Sequence, residues 1–291
     1  MSYVHAWKSN GEIISNSDAI APWWSITKTV IAVACLKFWE AGDLELDKPL
    51  RNRPFTLRQL LRHTAGVPNY GRVKAYHDAV SGKQKAWSAE KLLAVVKADT
   101  LDFAPGQGWN YSNTGYLLVR QLLEDISDRP FAELIHRTIF GPLDLSSASI
   151  VQTKADLEKC RYMKNTGYDA GWVYHGLASG TAADAVGFLD HILHSDFLTP
   201  ASKMALQDRV EVGGPLPDRP WQTCNYGLGV MCGETKNAGQ VIGHSGASPF
   251  SVSALYHFSD LPVPVTACAF HSGTDEGKTE WEVLRLAQKC Q

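Results

Sequence analysis

The order of hydrophobic and polar positions predicts strands at both ends of the chain and a buried helix soon after the first strands. Residues 3–7 and 12–15 flank Asn10-Gly11, a pair that readily takes the positive φ angles of a tight hairpin turn, so a β-hairpin is predicted at the N-terminus. The stretch from Ser25 to Ala41 is apolar on nearly every side and stops at Gly42. This pattern is typical of a fully buried helix with a glycine at its C-terminal end.

Helical patterns dominate from Thr56 to about Ser202, and strand patterns follow Asn225. The predicted helices are LRQLLRH after Thr56, AEKLLAVVKA after Ser88, residues 113–126, FAELIHR after Pro130 and AADAVGFLDHIL after Thr181. The predicted strands are YGLGVMC, QVIGH, SVSALYHF and VPVTACAF, and a last helix is predicted over residues 278–289.

This order of elements predicts one α+β domain over residues 1–291. An antiparallel sheet built from both chain ends, about 1–24 and 221–291, is flanked by helices, and a large, mostly helical region of about 25–220 is inserted between its two parts. The Gly- and Pro-rich segment 213–220 is expected to connect the helical region back to the sheet.

Charge and hydropathy exclude some partners. The net charge of -2 gives no basic excess of the kind that phosphate backbones or anionic membranes select, so no nucleic acid partner is expected. The N-terminal residues do not resemble a secretory signal, and the longest apolar run, residues 29–36, is far short of the roughly 20 residues that cross a bilayer. We therefore expect a cytoplasmic protein with no membrane partner.

Neither a metal nor another cofactor is predicted. The six cysteines are scattered without a C-x-x-C pair, which favours reduced and mostly buried thiols. His191 and His194 have the spacing of metal ligands on a helix, and Asp190 and Asp196 could complete a set. We interpret them as a helix end that carries two histidines, because nothing else nearby looks like a ligand.

A candidate nucleophile lies at the head of the buried helix. Ser25-Ile26-Thr27-Lys28 places a hydroxyl and an amine on one helical face, about one turn apart, and a helix N-terminus adds partial positive charge. Such a motif is weak on its own, and a second copy runs from Ser88 to Lys91. We interpret that copy as a helix N-cap on a solvated first turn.

Two further motifs follow in order. Tyr111-Ser112-Asn113 is the only Y-x-N of the chain, and His244-Ser245-Gly246 lies in the strand-rich region. Together with Ser25-x-x-Lys28 they resemble the three motifs of class C β-lactamases, D-alanyl-D-alanine carboxypeptidases and related esterases. The resemblance extends over WWSITKTVIAV, LLRHTAGVP, FAPGQGWNYSNTGY, GLASGTAADAVGFL, YGLGV and GHSGAS. It implies a β-lactamase-like fold with the active site in the cleft between the helical and sheet parts.

The resemblance also implies roles for the reacting groups. Ser25 would attack a carbonyl carbon, and the backbone N–H groups of Ser25 and Ala247, just after Gly246, would bind the oxyanion. Tyr111 is expected to act as general base and then as acid toward the leaving group, helped by a charged Lys28. A neutral Lys28 acting as the base remains the open alternative.

Other matched positions would bind substrate. Asn113 would orient Lys28 or a substrate amide, and His244 would line the edge where a substrate carboxylate or carbonyl docks. Trp24 and Trp109, with Trp23, could form an aromatic wall for the acyl group. A histidine at position 244, where many β-lactamases have lysine, removes a permanent cation.

The predicted function is therefore a serine hydrolase that forms an acyl-enzyme on a small ester or amide, with carboxylic esters favoured. A β-lactamase or D-amino-acid peptidase or amidase is the alternative within the same fold, and a non-catalytic ligand-binding relative is the alternative outside enzymes. A nucleophile elbow centred on Ser245 is a third possibility, although Pro249 and the alternation after it argue against the helix that an elbow requires. A second His-Ser-Gly, at His271 to Gly273, is interpreted as a turn.

Overall fold

A computed structural model describes residues 3–291. Its strands are β1 Val4–Ser9, β2 Glu12–Ser15, β3 Ala21–Pro22, β4 Ser149–Ile150, β5 Ala178–Gly180, β6 Val210–Gly213, β7 Trp221–Tyr226, β8 Met231–Thr235, β9 Gly239–Ala247, β10 Ser251–Phe258 and β11 Val265–Ser272. Its α-helices are α1 Thr27–Ala41, α2 Leu57–Leu61, α3 Lys74–Ser81, α4 Ala89–Val96, α5 Asn113–Ser127, α6 Phe131–Ile135, α7 Lys154–Lys159, α8 Ala182–His194, α9 Pro200–Gln207 and α10 Glu276–Lys289.

The two ends of the chain share one antiparallel sheet, as the sequence predicts. Its eight strands run in the order β2-β1-β11-β10-β9-β8-β7-β6, and β1 pairs with β11 from Val4 opposite Phe270 to Lys8 opposite Thr266. Asn10 and Gly11 join β1 to β2 with φ angles of 51° and 85°, which confirms the N-terminal hairpin. The α+β class, with an antiparallel sheet flanked by helices, is confirmed.

Helices cover both faces of this sheet. Alternate residues of β10 point to opposite sides, so Ala254 and Tyr256 pack with the apolar face of α10, whereas Leu255 packs into the larger core around α1 and α8. Helix α1 is buried from Thr27 to Leu36 and ends at Gly42, whose φ of 83° provides the left-handed C-terminal stop. The buried central helix is therefore confirmed, although its α-helical part begins at Thr27.

The segment YGLGVMC, predicted as one strand, is interrupted: Tyr226 ends β7, Met231 and Cys232 begin β8, and residues 227–230 form the turn between them, so the prediction is wrong for these four residues. A Cβ on Gly229 would lie 2.6 Å from the carbonyl oxygen of Lys28, and one on Gly227 would lie 2.4 Å from that of Leu206. Gly229 also has φ +70°, which is incompatible with an extended strand. Gly229 thus lets the turn approach the first residues of α1, and Gly227 lets it approach the end of α9.

Several short elements fall within the region expected to be helical. Strand β6 forms the edge of the large sheet, so segment 213–220 joins two strands of that sheet and does not connect the helical region to it as expected. Strands β4 and β5 form a separate sheet with β3, which precedes that region, in the order β3-β5-β4. Helices α3, α7 and α9 were also not predicted. Strands of two to four residues carry too little alternation to be recognised in a sequence.

The cysteines and helices agree with a globular interior. All six cysteines are free, and four of them are buried. Among the described residues, none of the helices combines the length and the apolar character needed to cross a membrane.

Candidate active site

Ser25 lies in a strained turn directly before α1. It occupies a 3₁₀ turn, Trp24–Ile26, in which Trp24 has φ +46°. A bulky residue in the left-handed region costs roughly 1–3 kcal/mol and persists only where its surroundings fix it. Here the indole Nε1 of Trp24 donates to Ser251 Oγ (3.0 Å), while Ser253 Oγ donates to the carbonyl of Trp23 (3.0 Å). Strand β10 thus holds the turn that presents Ser25.

Lys28 is fully buried beside Ser25. Its Nζ donates to Ser25 Oγ at 3.1 Å and lies 3.3 Å from Nε2 of His175. The same Nζ lies over the rings of Tyr111 and Tyr116, at 4.9 and 5.5 Å from their centroids. Burial holds the pKa of the Lys28 ammonium well below its usual value, because a charge loses its hydration there. The environment favours a neutral amine.

Tyr111 reaches Ser25 from the loop before α5. Burial raises the pKa of its phenol above the usual value, and a hydrogen bond with the Ser25 side chain lowers it in part. Its ring stacks on the imidazole of His63 at 4.4 Å between centroids, and Nδ1 of His63 accepts the backbone N–H of Ser112 at 3.1 Å. His63 therefore fixes the loop that carries Tyr111. The phenol of Tyr111 thus lies within hydrogen-bonding reach of the Ser25 side chain.

Strand β9 passes close to the nucleophile. A Cβ on Gly246 would lie 2.5 Å from the backbone nitrogen of Ser25 and 2.6 Å from Cβ of Trp24. Only glycine permits this approach. Ala247, the last residue of β9, is exposed and lines the cavities on both sides of Ser25. The two residues expected to supply the oxyanion-binding N–H groups, Ser25 and Ala247, are therefore neighbours in space.

His244 is buried and both of its ring nitrogens have partners. Nδ1 donates to the carbonyl of Ser245, so neutral Nε2 accepts the hydroxyl of Tyr226 at 2.8 Å. Burial, the main cause, lowers the pKa of His244 to about 3. The imidazole is thus uncharged and has no spare donor, so it lines the site without offering a cation to a substrate carboxylate.

Two cavities meet at Ser25. The larger, about 490 Å³, is bordered by Tyr111, Trp109, His244 and, at its far end, Arg219 and Glu276. The smaller, about 230 Å³, is bordered largely by aromatic side chains: Trp24, Tyr70, Tyr76, Tyr168 and Trp172. Ser25, Asn113 and Ala247 line both. Asn113 therefore stands on the shared wall, while the hydrogen bonds of Lys28 go to Ser25 and His175.

The three tryptophans expected to form one aromatic wall lie in different parts of the structure. Trp24 lines the smaller cavity and Trp109 the larger. Trp23 has no exposed surface and packs against Phe140 and Phe188 in the core. Trp23 is therefore a core residue, as buried tryptophans usually are.

The charges at the far end of the larger cavity are paired. Arg219 is bonded to the buried carboxylate of Glu280 and lies 3.2 Å from Glu276. Glu280 also accepts the hydroxyl of Tyr256 (2.9 Å) and the indole N–H of Trp221 (3.1 Å). The cation of Arg219 is thus matched by two carboxylates.

The competing motifs do not lead to a nucleophile. Gly243 to Ala247 lie inside β9, which turns into β10 and not into a helix, so the elbow hypothesis for Ser245 fails. Ser88 accepts the N–H of Lys91 as the N-cap of α4, which confirms that interpretation. His271 and Ser272 belong to the end of β11 and not to the predicted turn, and the His271 ring lies 4.5 Å from that of Tyr3.

His175 and His63 are the residues that sequence reasoning missed. Both lie within or beside segments that carry the family resemblance, but neither belongs to the three motifs. Each keeps one buried ring nitrogen without a hydrogen-bond partner among the described residues. No group of three or more His, Cys, Asp or Glu side chains in residues 3–291 has the arrangement of a metal site.

Comparison with known proteins agrees with this geometry. The Beta-lactamase family model matches residues 3–288. The chain therefore belongs to the β-lactamase family, which includes serine β-lactamases and penicillin-binding proteins.

Among curated relatives, "Penicillin-binding protein 4*" of Bacillus subtilis is 23% identical over 272 residues, which cover 81% of this chain and 57% of that protein. "D-aminopeptidase" of Brucella anthropi is 26% identical over 210 residues, covering 69% of this chain and 39% of that protein. The chain thus matches about half or less of the length of these relatives.

Solved structures share the fold over almost the whole chain. A D-stereospecific amidohydrolase from a Streptomyces species superimposes with a TM-score of 0.79 at 22% identity, covering 98% of this chain and 93% of that one. A D-amino acid amidase from Ochrobactrum anthropi, in complex with L-phenylalanine amide, gives a TM-score of 0.80 at 17% identity, covering 99% and 93%. The β-lactamase-like fold expected from the motifs is confirmed.

Proposed function

We propose that this protein is a serine hydrolase that forms an acyl-enzyme on Ser25 and cleaves small amides and esters whose acyl group is aromatic. The observation that carries the proposal is the position of Ser25: its hydroxyl accepts a hydrogen bond from Lys28 Nζ and lies within hydrogen-bonding reach of Tyr111, at the junction of two cavities. A nucleophile with a base on one side and a proton donor on the other is the arrangement that acyl transfer requires.

Lys28 is the general base in this proposal, and Tyr111 the acid. Burial depresses the pKa of Lys28 and raises that of Tyr111, so it favours the neutral form of both groups. A neutral amine can take the Ser25 proton, whereas a neutral phenol can give one. The sequence favoured Tyr111 as the base and left a neutral Lys28 as the alternative; this assignment takes Lys28.

The first half-reaction transfers the acyl group of the substrate to Ser25. The Ser25 oxygen bonds to the substrate carbonyl carbon while its proton moves to Lys28, and the backbone N–H groups of Ser25 and Ala247 stabilise the oxyanion. The bond from carbon to the leaving nitrogen or oxygen breaks as Tyr111 donates its proton, and Lys28 returns a proton to Tyr111. Water repeats the sequence to release the acid and restore Ser25.

The cavities suggest which part of the substrate lies on each side. Tyr111 borders only the larger cavity, so the leaving group belongs there and the acyl group in the smaller, aromatic one. None of the residues that line the smaller cavity is Asp, Glu, Lys or Arg. Aromatic faces suit a phenyl ring, and they also attract an ammonium group.

D-Amino acid amides are the second substrate class, supported by the named activities of similar proteins. The D-aminopeptidase and the D-amino acid amidase share this family or fold. β-Lactams are less suited, because His244 supplies no cation and Arg219 is paired with two glutamates. These features also make simple esters, favoured by the sequence, compatible with the site.

A matched panel tests the proposal. Purified protein is given D- and L-phenylalanine amide, 3-phenylpropionamide, the nitrophenyl ester of 3-phenylpropionic acid, and nitrocefin, with Ser25→Ala in parallel. We expect turnover of the phenylpropionyl ester, a covalent adduct on Ser25 by mass spectrometry, and none of either with Ser25→Ala. Binding without turnover or adduct for every substrate would instead identify a non-catalytic relative.

A further inference from the structure

The buried histidine behind Lys28 has no role in the chemistry described so far. His175 lies between a 3₁₀ turn, Ala170–Trp172, and β5, and only 3% of its surface is exposed. Its Nε2 lies 3.3 Å from Nζ of Lys28, on the fully buried amine that also contacts Ser25. The question is why an imidazole is kept at this position.

The backbone around His175 is fixed in place by α1. Thr27 Oγ1 accepts the N–H of Ala178 at 2.9 Å, and the carbonyl of Ala178 accepts the N–H of Trp23 at 2.8 Å. Gly176 has φ +97°, and a Cβ there would lie 2.4 Å from the ring of Phe131. The segment that carries His175 is therefore tied to the turn that carries Ser25.

The imidazole is retained at a cost. Its Nδ1 is buried and has no hydrogen-bond partner among the described residues. Leaving such a group unpaired is unfavourable, and a buried unsatisfied atom in a native protein calls for an explanation. The contact with Lys28 explains why the histidine is kept, because Nε2 accepts an N–H of Lys28 when the single ring proton is on Nδ1.

We propose that His175 is a positioning residue for Lys28: by accepting one N–H of the amine, it turns the nitrogen lone pair of Lys28 toward the hydroxyl of Ser25. When Lys28 takes the Ser25 proton, the same contact stabilises the ammonium that forms. His175 transfers no proton in this role, although its side chain also borders the smaller cavity. The inference rests on the proposed function, because it assigns Lys28 as the base.

Other groups around the ring leave this role to His175. The charged and titratable side chains that face it are Lys28 from α1, Tyr116 and Arg120 from α5, His63, and His244 from β9. None of them is a carboxylate. Burial is the main cause that holds the pKa of His175 well below its usual value, so the imidazole is neutral and able to accept.

The test measures how fast a fluorophosphonate labels Ser25 as a function of pH, which needs no knowledge of the natural substrate. The acid limb of the wild-type profile reports the loss of the Lys28 proton. In His175→Phe the protonated amine loses its acceptor, so we expect the limb to move to lower pH by about one unit. We also expect the plateau rate to fall roughly ten- to hundredfold, since a misplaced base is inefficient.

Two further variants separate positioning from a structural effect. His175→Gln offers an amide oxygen to Lys28 and should restore most of the plateau rate and the wild-type limb. His257→Phe removes another buried histidine, bonded to Thr266 in the sheet, and should leave the limb unmoved. If His175→Phe does not fold, His175→Met, which is flexible and equally unable to accept strongly, takes its place.

The outcomes distinguish the two proposals. An acid limb that stays in place or moves to higher pH in a folded His175→Phe protein, with Ser25 labelled in the wild type, overturns the role of His175 alone. An equal shift in His257→Phe overturns it as well. Failure of the wild-type protein to label at Ser25 at any pH overturns the proposed function.

Discussion

Gly246 is the position where one added methyl group has the largest calculable effect on the site. In Gly246→Ala the new Cβ would lie 2.5 Å from the Ser25 nitrogen, 2.6 Å from Trp24 Cβ and 3.0 Å from Ser253 Oγ. An ordinary contact begins near 3.4 Å, so β9 and the Ser25 turn must separate by about 0.9 Å. Overpacking of this kind costs about 1–3 kcal/mol of stability. Displacing an oxyanion donor costs roughly 10²–10³ in kcat.

Gly187 in α8 provides the matched control. A Cβ there would meet Leu145 and Ile13 at 3.6 and 3.7 Å, which are ordinary contacts, and helix propensity favours alanine by about 0.5–1 kcal/mol. Urea unfolding of both variants gives the stability, and hydrolysis of a nitrophenyl ester gives kcat. We expect Gly187→Ala to be more stable and fully active. The reasoning is refuted if Gly246→Ala keeps both wild-type stability and wild-type kcat.

Three further predictions concern the reacting groups and the buried histidines. Ser25→Ala should abolish both turnover and labelling, as active-site mass spectrometry can check. Tyr111→Phe should lower kcat for an amide by roughly 10²–10⁴ with little change in KM. The loss of kcat should be smaller for a nitrophenyl ester, because its leaving group needs no proton. Equal losses on both substrates would contradict the role of Tyr111 as acid. Burial lowers the pKa of His257 to about 4 in the folded protein, so between pH 4 and about 6.5 its imidazole gains a proton when the protein unfolds. The free energy of unfolding should therefore fall as pH drops from about 6.5 to 4, by at most about 1.4 kcal/mol per pH unit for this group. His257→Gln should reduce that slope in urea titrations at several pH values, whereas His136→Gln, on the exposed surface, should not.

Long patterned segments could be read from the sequence because their period spans many residues. Strand β10 coincides with SVSALYHF, and the buried α1 stops at its glycine as predicted. The turn within YGLGVMC was missed because its apolar residues suit a strand, while the need for Gly229 to approach the Lys28 carbonyl is a tertiary contact that no local pattern reveals. The small sheet of β3, β4 and β5 was missed because its strands of two or three residues carry too little alternation.

The candidate site likewise has residues that could be predicted from the sequence and residues that could not. Ser25, Lys28 and Tyr111 come from motifs with recognisable spacing, and the structure brings their side chains together. His175 carries no such spacing, since its contact with Lys28 joins residues 147 positions apart. The neutral state of His244 also depends on burial beside Tyr226, which the sequence of β9 does not specify.

The shared wall between the two cavities has a consequence for how selectivity can change. Ser25, Asn113 and Ala247 are common to both compartments, but the remaining lining residues belong to one or the other. Substitutions at Tyr76 or Tyr168 therefore reshape the space on one flank of the nucleophile, and substitutions at Leu216 or Met231 reshape the other. Under the proposed reaction, acid and alcohol or amine preferences would be separable traits that evolution or an engineer can adjust one at a time.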